Sequence, residues 1–236
     1  MNGIIKLDNI SKVFLDGDRS VEVLKSVSME IKRGEFVAIV GPSGSGKSTL
    51  LSIMGALLTP SSGSIVLSGQ EVTNARARQL KKIRKHKLGF IFQTAHLIPY
   101  LTVQEQLLLV AEIVSKRDRE QREKAAHLIN DLGLAHRENS RVDQLSGGEK
   151  QRVAIARAFM NDPDCILADE PTASLDSEKG RRVVKMLRKE VKNRQKSAVM
   201  VTHDERMLDL CDRVLYLEDG MMYEERKIHD EKLPLR

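Results

Sequence analysis

Tryptophan is absent, and phenylalanine and tyrosine together supply only 3% of the 236 residues. So few rings leave no base-stacking platform of the kind that binders of single-stranded nucleic acid use. There are two cysteines, Cys165 and Cys211, too few for a disulfide framework. As small apolar residues they belong in the interior rather than at a redox or metal centre. No apolar run approaches the roughly 20 residues needed to cross a bilayer. The opening residues, Met1-Asn2-Gly3-Ile4-Ile5-Lys6-Leu7-Asp8, lack the pattern of a secretory signal. Together these absences lead to the expectation of a cytoplasmic protein. The rest of the composition is ordinary: 41% hydrophobic and 31% charged residues suit one large domain with a sizeable core. A net charge of +6 suits nucleic acid or an anionic membrane face without choosing between them.

The strongest local signal is Gly41-Pro42-Ser43-Gly44-Ser45-Gly46-Lys47-Ser48-Thr49. It follows the apolar run Phe36–Val40 and leads into a helix-like stretch, Thr49–Leu58. Strand, glycine-rich loop and helix form the context in which G-x-x-x-x-G-K-[ST] binds phosphate. Glycines let successive backbone N–H groups converge on one anion, and the helix adds its positive end. Lys47 can reach the β- and γ-phosphates, and the Ser48 hydroxyl can ligate Mg²⁺. The chain therefore binds a nucleoside triphosphate.

Ile4–Ile10 and Val21–Ile31 alternate apolar and polar residues like strands, with Ser11–Asp18 read as a polar turn between them. Their closeness in sequence favours an antiparallel lobe. Phe14, within the turn, is either a core residue or a ring that stacks on adenine. Arg76–Lys87 is a strongly basic helix, either a solvated face or a contact for anionic lipid. Leu88–Phe92 reads as a buried strand ending at Gln93, followed by the apolar loop Thr94–Leu101, tucked under or used for docking. Thr102 and Glu105 form a capping box for a helix to Val114, and a second helix spans Arg117–Leu132.

A second glycine-bearing loop, Gln144-Leu145-Ser146-Gly147-Gly148-Glu149, opens a helix over Lys150–Met160 and makes another anion site. Cys165–Ala168 is a buried strand ending in Asp169 and Glu170. Acids in that place need a partner, Mg²⁺ for Asp169 and a water for Glu170, unless they merely mark a surface turn. A helix over Glu178–Lys192, a strand Ser197–Thr202 ending at His203, a short helix Glu205–Cys211, a strand Arg213–Glu218 and a loose polar tail from Glu224 complete the chain. The alternation implies an α/β fold with a mainly parallel sheet and ligands at the strand C-termini.

The phosphate loop, Gln93, Leu145–Glu149, Asp169-Glu170, Ser174-Leu175-Asp176 and His203 occur in one order. Together they resemble the nucleotide-binding subunit of an ATP-binding cassette (ABC) transporter, over essentially the whole chain. The resemblance implies a P-loop NTPase of ABC type: one domain over 1–236, with an antiparallel N-terminal β lobe, a helical subdomain near 94–160 and a polar tail at 224–236. It implies ATP and Mg²⁺ as cofactors. Gly41–Thr49 would hold the phosphates, with Phe14 against adenine. Ser48, Gln93 and Asp169 would hold the metal. Glu170 would polarise water, helped by Lys47, Gln93 and the switch histidine His203. Leu145, Ser146, Gly147, Gly148 and Glu149 would close over the ATP of a second copy, with Ser174, Leu175 and Asp176 as the D-loop.

Residues Gly89–Leu101 are similar to the lipoprotein-release and macrolide-exporter subgroup, and His96–Leu107 with Glu149–Met160 to bacterial heme-efflux ATPases. The implied partners are a second copy, head to tail, and an integral membrane permease subunit in two copies, with no nucleic acid and no direct cargo contact. The expected location is the cytoplasmic face of the cell membrane, reached through the permease. The expected role is ATP-driven efflux of an amphiphile, heme first, with macrolide, peptide or lipoprotein as alternatives. A soluble ABC-type ATPase acting on nucleic acid or ribosomes is the rival. The single cassette and the short span between Gln93 and Leu145 count against it. A non-hydrolysing ATP switch is disfavoured by the intact Lys47, Asp169, Glu170 and His203.

Overall fold

The computed structural model describes residues 3–17, 19–114 and 118–225. Two sheets share the chain. The first is antiparallel, in the order β2 (Arg19–Lys32), β1 (Gly3–Asp16), β4 (Ser62–Leu67), β5 (Gln70–Glu71). The second has six strands, in the order β10 (Met221–Glu225), β9 (Arg213–Glu218), β3 (Phe36–Val40), β8 (Ser197–Val201), β7 (Cys165–Asp169), β6 (Leu88–Ile91). From β9 to β6 every pairing is parallel, and β10 adds an antiparallel edge. The α/β architecture with an antiparallel N-terminal lobe is as expected.

Two-residue periodicity assigns the core. Phe36, Ala38 and Val40 of β3, with Ile166 and Ala168 of β7, face one core with α3 (Val103–Glu112), α4 (Arg119–Asp131), α5 (Gly147–Phe159) and α6 (Ser177–Asn193). Val37 and Ile39, with Cys165 and Leu167, face the other, against α1 (Lys47–Met54) and the N-terminal lobe. A sheet covered on both faces needs unbroken apolar strands, and β3 and β8 are buried at every residue. Both cysteines are free and buried, and burial pushes both thiols up, Cys211 to about 12.

Three elements differ from expectation. The polar stretch from Ser11 is strand up to Asp16: Lys12 pairs with Leu24, Phe14 with Val21 and Asp16 with Arg19. Irregular register between Leu7 and Val13 breaks the apolar alternation. Side chains fill the gaps there, Ser26 Oγ donating to Asn9 Oδ1 at 2.9 Å and Ser28 Oγ accepting from the Asn9 N–H at 2.8 Å. Asp18, the end of the expected turn, lies outside the described residues. Second, α1 starts at Lys47 and ends at Met54: Gly55 caps it and Ala56 turns the backbone into the left-handed region at φ 52°. Third, Glu224 and Glu225 are not tail: they pair with Leu215 and Val214 in β10, while 226–236 lie outside the described residues. Arg117, the expected start of the second helix in 94–160, also lies outside them, and α4 begins at Arg119.

The helices α3, α4 and α5 pack on one another, and α5 also lies on β6. That last contact is close: a Cβ on Gly89 would sit 2.5 Å from the Ala158 carbonyl oxygen and 2.5 Å from Ile166 Cδ1. Gly89→Ala should therefore lower unfolding free energy by about 1–3 kcal/mol, the usual range for overpacking. Urea titration followed by circular dichroism measures it; an unchanged midpoint would mean that α5 can back away from β6.

Candidate functional site: a phosphate cleft at the strand ends

The parallel strands end on one side, and the chemistry gathers there. A cleft of about 420 Å³ is lined by Val23, Ser43, Gly44, Gly46, Lys47, Ser48, Thr49, Gln93, Asp169, Glu170 and His203. They come from the ends of β3, β6, β7 and β8, with Val23 from β2. A hollow of about 500 Å³ under Lys32, Arg33, Gly34, Lys192 and Gln195 lies at the opposite strand ends and has no acid or histidine in its lining.

The phosphate loop is shaped by what surrounds it. Gly46, at φ 102°, is the cap residue of α1. A Cβ there would meet Val23 O and Leu24 Cδ2, each at 2.9 Å, so β2 presses on the loop and only glycine fits. α1 thus directs its N-terminal N–H groups into the cleft. Lys47 is almost buried, at 8% exposure, and its ammonium donates to the carbonyls of Gly41 (2.8 Å) and Pro42 (2.7 Å). These partners hold the lysine along its own loop, where a phosphate can draw on it.

Ser48 Oγ donates to Asp169 Oδ1 at 3.3 Å. Burial, and then the adjacent Glu170, raise the Asp169 carboxyl above the ordinary range; the Ser48 hydroxyl and Lys47 oppose them. A cation would relieve that cost. Ser48, Asp169 and Gln93 are oxygen donors suited to Mg²⁺, which completes its shell with phosphate and water. Among the described residues no group of three or more His, Cys, Asp or Glu could hold a metal unaided. This donor set therefore fits a metal carried in with a nucleotide.

Glu170 lies in the left-handed region at φ 46°, immediately before Pro171. That conformation costs on the order of 1–3 kcal/mol and is held by its surroundings. Its N–H donates to Val201 O at 3.0 Å and its carbonyl accepts from Ala173 N at 3.2 Å. The turn aims the carboxylate at His203, whose Nδ1 lies 2.5 Å from Glu170 Oε2.

Other expected residues lie elsewhere. Phe14 is on the β1–β2 arm, 39% exposed with the Lys12 ammonium 5.1 Å from its ring centre, and does not line the cleft. Gly41, Pro42 and Ser45 belong to the loop but do not line the cleft. Leu145 is core. Ser146 caps α5, accepting from Glu149 N at 3.3 Å, while Glu149 Oε2 accepts from Ser146 N at 2.8 Å. Ser146 and Gly147 are exposed and, with Gly148, stand outside the cleft. Asp176 caps α6 through Lys179 N (2.9 Å) and pairs with the Lys179 ammonium (2.6 Å). Leu175 Cδ2 would lie 3.5 Å from a Cβ on Gly147, so the Ser174–Asp176 loop borders the Ser146–Gly148 loop in the same chain.

Three supports had no sequence signal beyond being polar in apolar surroundings. Buried Gln106 clamps the Ile98 backbone, accepting from its N–H at 3.1 Å and donating to its carbonyl at 2.7 Å. Gln151 donates to Phe92 O at 3.2 Å. Arg157 donates to His96 O (2.8 Å) and Ala95 O (2.7 Å), and burial lowers its pKa. Gln151 and Arg157 both lie on α5, so the helix that starts at Ser146 also holds the loop carrying Gln93.

The sequence matches the family described as ABC transporter over residues 24–173. A Staphylococcus haemolyticus protein named hemin import ATP-binding protein HrtA is 47% identical over 216 residues, which cover 92% of this chain and 97% of that protein. The Staphylococcus aureus (strain Newman) protein of the same name is 46% identical over 214 residues, covering 91% and 96%. The ATP-binding cassette MJ0796, solved as a dimer in a post-hydrolysis state with ADP and Pi, has a TM-score of 0.87 at 39% identity, covering 96% of this chain and 100% of that one.

Glu149 yields a pH test. The Ser146 hydrogen bonds, then Arg137 with its Nε 3.1 Å away, hold the Glu149 carboxyl at about 2, against an ordinary 4.5. A pKa lowered by folding stabilises the fold above the ordinary value, and the gain is lost as pH falls through the folded value. Glu149→Ala should cost about 1.5–3 kcal/mol at neutral pH, as for a hydrogen bond to a charged group. Urea midpoints should show that gap constant above pH 4.5 and closing toward pH 2. A gap independent of pH would mean that Glu149 acts through packing alone.

Proposed function

The chain belongs to the ABC transporter family, and from that premise we propose that it powers a membrane exporter as one half of a head-to-tail pair, with heme as the cargo. It is an ATP-binding cassette ATPase; the pairing, the metal, the residue roles, the cargo and its direction are the proposal. The observation that carries it is a division within one chain. The cleft holds Lys47, Ser48, Gln93, Asp169, Glu170 and His203, whereas the formed and exposed loop Ser146–Gly148 stands outside it. The N-terminus of α5 is an anion site with no phosphate of its own. A second copy turned about a two-fold axis would bring that loop over the first copy's nucleotide, making two equal sites.

In the closed pair, Lys47 and the loop N–H groups would take the β- and γ-phosphates. Mg²⁺, held by Ser48, Asp169 and Gln93, would offset charge on the phosphate oxygens. Glu170 would orient the water that attacks the γ-phosphorus, and His203 would contact the γ-phosphate while fixing Glu170. The P–O bond to the β-phosphate breaks, and phosphate and ADP leave. Losing the γ-phosphate removes the contact that spans the two copies, so the pair reopens.

Heme rests on the names of the relatives and on the likeness of His96–Leu107 and Glu149–Met160 to heme-efflux ATPases. Outward movement rests on that likeness alone, since the relatives' names read import. No helix among the described residues is long and apolar enough to cross a membrane; in the proposed role the chain would reach the bilayer through a permease. Its docking surface would include Tyr100, 74% exposed, beside the clamped Ile98.

Glu170→Gln should keep ATP binding, slow hydrolysis by at least about 100-fold, and run as a dimer on gel filtration with ATP and Mg²⁺. A monomer at saturating nucleotide would count against the paired site. In a strain lacking the chain, hemin should inhibit growth at lower concentration, rescued by the wild type and not by Glu170→Gln. Import predicts the opposite sign: better hemin tolerance and poorer growth on hemin as an iron source. Tyr100→Asp should abolish co-purification with the permease while the isolated chain hydrolyses ATP as before; retained co-purification would move the docking surface elsewhere.

A further inference from the structure

The basic stretch ahead of β6 takes no part in the nucleotide site. Its helix, α2 (Ala77–His86), contains no acidic residue. It divides into two stripes, each with the spacing of one helix face. On the inner stripe Ile83 is buried and Leu80 packs on the core. Arg84 Nη1 donates to Ala56 O at 2.6 Å, and Lys87 Nζ lies 3.1 Å from Asp164 Oδ2. The outer stripe carries Arg78, Lys81 and Lys82, with Arg76 just before the helix, and all four are exposed. None of their side chains makes a hydrogen bond or ion pair with a described residue. Three further cations of this stretch are occupied within the fold, and these four are left to meet something outside it.

Their neighbourhood narrows the partner. Arg84 is bound to the carbonyl that precedes Leu57, and Lys85 Nζ donates to Ile113 O at 2.7 Å. Leu57 and Ile113 are 55% and 52% exposed. The helix is thus fastened at two points to a rim with exposed aliphatic side chains. Unpaired cations beside exposed aliphatics are what a protein sets against a negatively charged bilayer surface. The charges stand on one exposed helix face, on long flexible stems, spread along the helix rather than gathered on one point. That arrangement suits a diffuse charged plane better than a particular acidic peptide.

We infer that the outer face of α2 binds anionic lipid head groups of the bilayer against which the cassette works. The inference rests on the proposed role at a membrane, but it can be tested without a permease. The purified full-length chain is sedimented with vesicles of phosphatidylcholine alone and of phosphatidylcholine with phosphatidylglycerol. Binding should require phosphatidylglycerol and weaken as salt rises. The variant Arg78→Glu/Lys81→Glu/Lys82→Glu should lose at least about tenfold in vesicle partitioning. A variant with the same change of charge on exposed positions of α4 and α6, Arg122→Glu/Lys185→Glu/Lys189→Glu, should bind like the wild type. ATP hydrolysis and circular dichroism on the same samples establish that all are folded.

Equal loss in both variants would reduce the effect to net charge and overturn the inference. So would wild-type binding by the α2 variant, or no binding of the wild type to either vesicle. If the α2 variant keeps vesicle binding but no longer co-purifies with the permease in detergent, the face is a protein contact and the lipid assignment is wrong. Failure of the transporter reading would show separately, in the hemin growth series.

Discussion

Parallel hydrogen bonding among β3, β8, β7 and β6 determines where every reacting group ends up. In register, Ile39 stands beside Val201, Asp169 beside Val201 and Ile91 beside Ala168. Parallel strands all leave the sheet at the same edge, so the phosphate loop, the Asp169-Glu170 pair, His203 and Gln93 come together without any direct sequence proximity. The cost is a sheet with apolar residues on both faces, which is why the chain needs a helical layer on one side and an antiparallel lobe on the other. The lobe is more than a cover. Its second strand brings Val23 O against Gly46, so the lobe that closes one core also sets the curvature of the phosphate loop.

The second dependency is α5. It begins at the Ser146 cap and lies against β6 at Gly89. Along its length Gln151 and Arg157 hold the carbonyls of Phe92, Ala95 and His96. A half-buried guanidinium with both hydrogen-bonding arms taken up costs free energy to separate from its partners. The Ser146 loop and the Gln93 loop are therefore held to one body, although Gln93 lines the cleft and Ser146 does not. Gln106 extends the tie to Ile98, next to the exposed Tyr100. The loop that leads to Tyr100 is thus joined to α5 by hydrogen bonds at Gln151 and Arg157 and to α3 at Gln106.

Much of this was legible in the sequence because its signals are local. The glycine-rich loop between an apolar run and a helix, the Thr102–Glu105 capping box and the acids closing a buried strand each carry their own reason. What was missed needed information from across the fold. β1 continues to Asp16 through irregular register, which erases the alternation by which a strand is read. Gln151, Arg157 and Gln106 look like solvated helix positions until the loop they hold is known. Here β10 is the exception: Asp219-Gly220, both at positive φ, is a two-residue hairpin turn of the Asp-Gly kind, and it could have marked the hairpin. The charges of Glu224 and Glu225 hid it, because edge strands commonly carry charged residues.

The contact between Leu175 and Gly147 bears on how two copies would act together. The Ser174–Asp176 loop follows the β7 acids directly, and Asp176 caps α6 while Leu175 leans on the glycine loop that opens α5. Glu170, in its left-handed turn, is bonded through its carbonyl to Ala173 N, one residue before that loop. In the proposed mechanism, a shift of Glu170 as His203 loses the γ-phosphate would pass along Ala173 and Ser174 to Leu175, and from there to the loop proposed to cover the other copy's nucleotide. The link is covalent for most of its length and ends where Leu175 borders the Gly147 loop. In the proposed pair, hydrolysis in one cleft would bear on closure over the other through this link, without any long-range rearrangement of the sheet.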